Sequence, residues 1–239
     1  MTSRTCRASC AAGVSASAPD RGPDHGPDQG PDRPDPWFAW IWQRLAPRLE
    51  QRGLADHRAW TVAGLAGRVV EVGCGDGQMF AHYPSTVTEV VAVEPEPRLR
   101  ARAAQAARHA PVPVTVLPGR AEALPVADGS CDAAVAMLVL CSVEAPRVAA
   151  RELRRVLRPD GQLRFCEHVR AATPLGQRLQ RSLDLAWPHV GGGCHTARPT
   201  VTTLAEAGLT PQRLERFAFP SRLPTPTLPH VRGIATPRG

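Results

Sequence analysis

Val69-Val70-Glu71-Val72-Gly73-Cys74-Gly75-Asp76-Gly77 runs from a β-branched strand into three glycines at alternate positions. Val69, Val70 and Val72 suit a buried strand, and the turn after it carries no side chain at positions 73, 75 and 77. Missing Cβ atoms let backbone approach a ligand closely and let φ go positive. A glycine turn between a strand and a helix cradles nucleotide-like cofactors. Spacing narrows the choice. A dinucleotide fingerprint, G-x-G-x-x-G, begun at Gly73 needs a glycine where Gln78 stands; begun at Gly75 it needs one where Phe80 stands. Neither register fits.

Outward from the glycines, Thr88-Glu89-Val90-Val91-Ala92-Val93-Glu94 reads as a second strand, ending in a carboxylate 19 residues after Gly75. An acidic residue about 20 residues beyond such a turn is placed to accept hydrogen bonds from ribose hydroxyls. Pro95 and Pro97 then end the strand and open the next helix. The pattern continues to alternate, with strands expected at 68–73, 88–94, 112–117, 131–139 and 161–169 and helices at 78–82, 98–110 and 145–157. Alternation of this kind builds right-handed βαβ units and a parallel sheet. Ala133 to Val139 is apolar at every position, as a strand covered on both faces must be.

Beyond position 170 a helix at 173–187, a glycine-rich loop at 188–199 and a helix at 200–207, stopped by Gly208, precede two weaker strands at 212–219 and 230–235. The last two are expected to form a hairpin that completes a seven-stranded sheet. The fold class is therefore α/β, a doubly wound and mostly parallel seven-stranded sheet. Ligands on such sheets bind at the carboxyl ends of the strands, where strand order reverses. Before the sheet, Trp37-Phe38-Ala39-Trp40-Ile41-Trp42 begins an aromatic helix, and a second helical stretch lies near 56–65. Residues 37–66 are read as a helical lid over the cofactor cleft, with contact to a membrane interface as the alternative for the tryptophans.

Composition bounds the rest. The chain has 239 residues, enough for one domain with a sizeable core. Residues 1–36 form a leader rich in Pro, Gly and Asp with a repeated Gly-Pro-Asp-x tetrad, and are expected to be disordered; residues 37–239 are expected to form the folded domain. All 29 residues of the Lys+Arg count are arginine, and the net charge is +7. Arg151, Arg154, Arg155 and Arg158 share one expected helix, which a solvated face explains more simply than nucleic acid, since no aromatic-interleaved basic platform accompanies them. Seven cysteines are scattered and odd in number, so buried reduced thiols are the default, consistent with the cytoplasm. Cys6 and Cys10 have no second pair at zinc spacing, and no metal is expected. No secretory signal is evident, and the longest apolar run, 133–143, is far short of the ~20 residues that span a bilayer.

The form E-x-G-x-G-x-G at Glu71 to Gly77 resembles the first motif of the class I S-adenosylmethionine (SAM) methyltransferases, and the likeness extends over residues 57–236. Gly119-Arg120-Ala121-Glu122-Ala123-Leu124-Pro125 resembles their third motif, whose turn holds the adenine. Val156-Leu157-Arg158-Pro159-Asp160-Gly161 is similar to the segment before their fifth strand. A narrower likeness, carried by Val126 to Ser130, Val139 to Val143, Glu167-His168-Val169 and Gly193 to Arg198, is to the group whose animal members methylate alkyl thiols. The resemblance implies SAM as cofactor, held by Glu71, Gly73, Cys74, Gly75, Gly77, Glu94, Pro95, Ala121, Glu122 and Leu140. It implies an acceptor pocket with Cys141, Trp187, Cys194 and Arg198. Arg120 departs from the pattern, which has aspartate there, so adenine contact is left to Glu122 or to backbone. Asp160 stands for the commoner glycine in the turn before the fifth strand, a substitution that aspartate tolerates.

The expected function is direct in-line methyl transfer to a small-molecule acceptor, thiols first. The alternatives are amine, hydroxyl or lipid-like acceptors, or a non-catalytic SAM-binding adaptor, the last motivated by Arg120. His168, at the end of the fifth strand, and His195, after the glycine loop, are the candidate bases; each reads equally well as a structural histidine. Nucleic acid and a transmembrane segment are not expected, peripheral membrane contact is left open, and nothing in the sequence fixes the oligomeric state.

Overall fold

Strands apolar on both faces need cover on both sides, and the computed structural model supplies it. The structure describes residues 30, 32–220 and 227–238; nearly all of the leader, with Cys6 and Cys10, lies outside the described residues. Seven strands, β1 (Gly67–Val72), β2 (Val87–Val93), β3 (Val114–Leu117), β4 (Cys131–Met137), β5 (Leu157–His168), β6 (Leu209–Phe219) and β7 (Leu228–Pro237), form one sheet. Their order is β3-β2-β1-β4-β5-β7-β6. The first five pair in parallel, while β7 runs antiparallel between β5 and β6. The expected hairpin is the β6–β7 pair.

Alternate residues of the strands divide the core. Val70, Val72, Val91, Val93, Ala134 and Ala136 face one side, where helix α4 (Pro146–Val156) brings Ala149, Ala150 and Leu153, and α7 (Thr200–Glu206) brings Leu204. Val69, Val90, Ala92, Ala133 and Val135 face the other, against Val62 of α2 (Ala55–Val62) and Ala103 of α3 (Pro97–Ala106). Each face is a dry layer, so the polar and glycine-rich segments are pushed to the strand ends. The order reverses between β1 and β4, which places the crevice beside the glycine turn.

Two expected helices differ. The stretch 78–82 is a single 3-10 turn, Phe80–His82, closed off by Tyr83-Pro84 in extended backbone. The long helix expected at 173–187 is two pieces, α5 (Pro174–Leu183) and α6 (Trp187–Val190). Between them Asp184 turns inward to accept from Thr196 N and Oγ1, at 2.7 and 2.8 Å. That tertiary pair breaks a local pattern that would otherwise continue.

Candidate active site

The carboxyl ends of β1, β2, β4 and β5 open into a cavity of about 450 Å³, covered from outside by α1 (Pro36–Leu49). The size falls in the roughly 300–1,000 Å³ range of small-molecule sites.

The glycine turn forms one wall. Gly73 has φ 64°, and a Cβ there would sit 2.6 Å from Val139 Cγ2, so only glycine fits. A Cβ at Gly77 would meet the Phe80 ring at 2.8 Å. Gly75 N donates to Glu94 Oε2 at 2.8 Å, and Glu96 N donates to Glu94 Oε1 at 2.9 Å. These bonds orient the Glu94 carboxylate at the cavity wall and leave each oxygen with a free lone pair. Burial pushes the Glu94 carboxyl up to about 7, opposed by those two backbone donors. A strand-end carboxylate with spare acceptors beside a side-chain-free turn fits the ribose and chain of SAM.

The turn after β3 is organised by charge. Glu122 Oε1 accepts from Glu144 N (2.9 Å) and Ala145 N (3.2 Å), in the loop that leads into α4. Arg120 Nη2 pairs with Glu144 at 2.7 Å, and Glu144 also meets Arg33 at 3.3 Å. Arg120 Nε is buried 3.7 Å from Glu122 Oε2, with no hydrogen-bond partner among the described residues. One Glu122 oxygen is thus committed to the loop before α4, while Glu122 and Ala121 both border the cavity.

At the ends of β4 and β5, Glu167 is fully buried and accepts from Val139 N, Leu140 N and Cys141 N at 2.9, 2.9 and 3.1 Å. Three donors hold this carboxylate against a burial cost that pushes its pKa up. They also fix the backbone that carries Cys141. His195 N donates to Cys141 O at 2.7 Å, tying the glycine-rich loop to the same turn. Consequently Cys141, His168 and Cys194 meet at one wall: His168 Nδ1 lies 3.5 Å from Cys141 Sγ and 3.3 Å from Cys194 Sγ. Cys194 is pushed down, first by its hydrogen bond with Cys141 and then by His168, while Cys141 is pushed up by the same bond and by burial. Trp187 lines the cavity with its indole Nε1 buried. His230 packs on His168 at 4.3 Å between ring centroids, and burial drives it down to about 3, so it is neutral.

Helix α1 closes the outside. Asp35 caps it by accepting from Phe38 N at 2.9 Å. Phe38, Ile41, Trp42, Leu45 and Leu49 all face the cavity, at the spacing of one helix face. Trp42 Nε1 donates to Asp76 Oδ1 at 3.3 Å above the glycine turn.

Of the residues expected at the cofactor, Gly73, Gly75, Glu94, Pro95, Ala121 and Glu122 line this cavity. Glu71, Cys74, Gly77 and Leu140 do not. Glu71 points into the core because its Oε2 accepts from buried Tyr83 Oη at 2.9 Å; Gly77 shapes the turn from behind. Cys141, His168, Trp187 and Cys194 line the cavity, but His195 and Arg198 open onto neighbouring clefts, with Arg198 donating to Leu140 O at 3.0 Å. Sequence reading missed Glu167, Trp42 and Asp76. Only the Glu167-His168 pair at a strand end signalled the first of these.

A family model described as a methyltransferase domain matches residues 70–165. Thiol S-methyltransferase TMT1B of Homo sapiens is 36% identical over 182 residues, covering 73% of each chain. Thiol S-methyltransferase TMT1A of Homo sapiens is 34% identical over 179 residues, covering 72% of each. Among solved structures, a geranyl diphosphate methyltransferase in complex with SAM superposes with a TM-score of 0.61 at 16% identity, over 86% of this chain and 92% of that one. Sheet order, glycine turn, strand-end carboxylate and these relatives agree: the chain belongs to the class I SAM-dependent methyltransferases, with SAM as its cofactor.

Proposed function

We propose that this methyltransferase acts on the sulfur of a small, mainly apolar thiol. The observation that carries the reading is the Cys141–His168–Cys194 wall facing an apolar cavity. Relatives that are thiol S-methyltransferases, at 36% and 34% identity, support the same acceptor class.

When bound, SAM supplies a methyl group already activated on a sulfonium. The protein's share is binding, orientation and exclusion of water, worth about 7–11 kcal/mol in well-oriented cases. Glu94 would take the ribose hydroxyls, the backbone of Gly73 and Gly75 would hold the cofactor's chain, and Ala121 with its neighbours would hold the adenine. Phe38, Ile41, Leu45 and Leu49 close the cavity and keep it dry, and the acceptor's carbon chain lies against them. A thiol with a pKa near about 8.5 is partly ionised at neutral pH, and the polar wall at His168 is where its sulfur and its proton are received. His195, outside the cavity, is set aside as the base.

The test is transfer of labelled methyl from SAM to a panel of propanethiol, thiophenol, an alkyl amine, a phenol and a phospholipid. Products on sulfur are expected. Turnover confined to nitrogen, oxygen or lipid carbon overturns the acceptor class.

A further inference from the structure

We propose that Cys141, Cys194 and His168 bind a zinc ion whose fourth position opens into the cavity and holds the acceptor's sulfur as thiolate. The second half of this rests on the thiol reading above, and it recasts His168 as a ligand rather than a base.

Geometry comes first. One ligand atom from each of the three residues lies within 4.8 Å of the others. A tetrahedral zinc with Zn–S of about 2.3 Å and Zn–N of about 2.0–2.1 Å sets its nitrogen and sulfur ligands roughly 3.5 Å apart. His168 Nδ1 stands 3.5 and 3.3 Å from the two sulfurs, so little movement is needed. The donor set is soft, two thiols and an imidazole, which selects zinc over magnesium or calcium. Two cysteines and one histidine also leave the open coordination position that catalytic zinc sites keep.

The supports around the ligands are those of a prepared site. Glu167 holds the Cys141 turn, the His195 N to Cys141 O bond clamps the two cysteine loops together, and His230 braces the His168 ring. Outer-shell contacts of this kind orient metal ligands. Buried thiolates need a cation, and a bound zinc ion supplies one. The ligands come from three separated stretches, the β4 turn, the end of β5 and the glycine-rich loop, so no sequence spacing advertises them.

The chemistry balances without an oxidant. An incoming R–SH loses its S–H bond, its proton passes to water, and a metal–sulfur bond forms. The thiolate sulfur would then bond to the methyl carbon as the methyl–sulfonium bond of SAM breaks and S-adenosylhomocysteine is released. The thioether formed carries no charge and is a poorer ligand, so its bond to the metal is lost and it leaves.

The full chain, purified without chelator, is assayed for metal content and then reloaded with zinc or cobalt(II). One equivalent of zinc is expected, with a thiolate-to-cobalt charge-transfer band and the visible bands of a tetrahedral ion. Cys194→Ser and Cys141→Ser should each weaken zinc binding by more than about tenfold, while SAM still raises their melting temperature, which shows that they are folded. Propanethiol should shift the cobalt bands. Absence of bound zinc after reloading, or undiminished binding in both serine variants, overturns the site. Cobalt bands unmoved by propanethiol, or full thiol turnover by the metal-free protein, overturn the open position. Failure of the thiol reading looks different: zinc bound through these residues, with no thiol methylated.

Discussion

Glu94 is reached from the sequence by counting, because its distance from Gly75 is set by one βαβ unit and that unit is local. Its carboxyl is raised to about 7 mainly by burial, and in the proposed SAM complex it would gain donors from the ribose hydroxyls. Donors favour the anion, so its pKa falls in the complex and binding releases a proton. SAM affinity should therefore rise with pH up to about 7, by at most about tenfold per pH unit, and level off above. Calorimetric titration across that range checks it, and Glu94→Gln should flatten the profile and weaken binding by about tenfold or more. Gly73→Ala makes a second residue-scale case. Its Cβ would enter Val139 at 2.6 Å and its φ of 64° disfavours any side chain. A loss of roughly 1–3 kcal/mol in stability and of SAM binding is expected, read by chemical denaturation and calorimetry. Glu167 and the Cys141–His168–Cys194 wall were not legible in this way. Their partners lie 26 to 28 residues off; the sheet register between β4 and β5 brings Glu167 and His168 to the Cys141 turn, and the His195 N to Cys141 O bond brings in the loop that carries Cys194.

Helix α1 is amphipathic in an unusual sense, since its aromatic run serves two surfaces. Phe38 and Trp42 face the cavity, whereas Trp37 and Trp40, 58% and 46% exposed, stack on each other outside. Its start is pinned by Asp32–Arg100 at 2.7 Å and Arg33–Glu144 at 3.3 Å, exposed pairs worth about 0.2–1 kcal/mol each. Fastenings that weak suit a cover that must part to admit SAM and acceptor. Trp42→Ala should raise the KM for SAM about tenfold, through loss of the Asp76 bond and of the roof over Gly75, with kcat lowered less. The melting temperature should move by only a few degrees, because Trp42 is half-buried. Steady-state kinetics with a thermal scan checks both, and an unchanged KM would remove α1 from the site. The element map itself was legible wherever a period was strong: the apolar strands, α4 with its arginine-bearing outer face, and the aromatic start of α1. It failed where a distant group took over, at Asp184 between α5 and α6, and where the glycine turn ran straight into Tyr83-Pro84 with no room for a helix.

At the scale of the whole molecule, a sheet dry on both faces confines its polar work to one edge, and three buried carboxylates stand at the strand ends there. Glu94 and Glu167 have backbone donors; Glu71 has a single side-chain partner, Tyr83, inside the core. Burial pushes Glu71 up to about 8, above the 4.5 of an exposed glutamate, and the Tyr83 hydrogen bond offsets only part of this. The folded chain therefore holds protons that the unfolded chain releases between those two values. A carboxyl raised by folding gives stability that is whole below about pH 4.5 and lost as pH climbs through the folded value. Glu94, raised to about 7, adds to the same slope. His230 and Cys194, both lowered in the folded chain, take up protons on unfolding and oppose this slope. From about pH 5 to about pH 8 the midpoint of the cofactor-free protein therefore sums the two, and the Glu71 share is read against a variant, each kcal/mol moving the midpoint by about 2–4 °C. Glu71→Gln keeps an oxygen to accept from Tyr83 and removes the ionisation, so over that range its midpoint should fall less, or rise more, with pH than that of the parent chain. The comparison rests on slopes, because the new amide hydrogens can lower the midpoint at every pH alike. Differential scanning calorimetry of both proteins without SAM decides it, and equal slopes in parent and variant would show that Glu71 is ionised in the core at no cost to the fold.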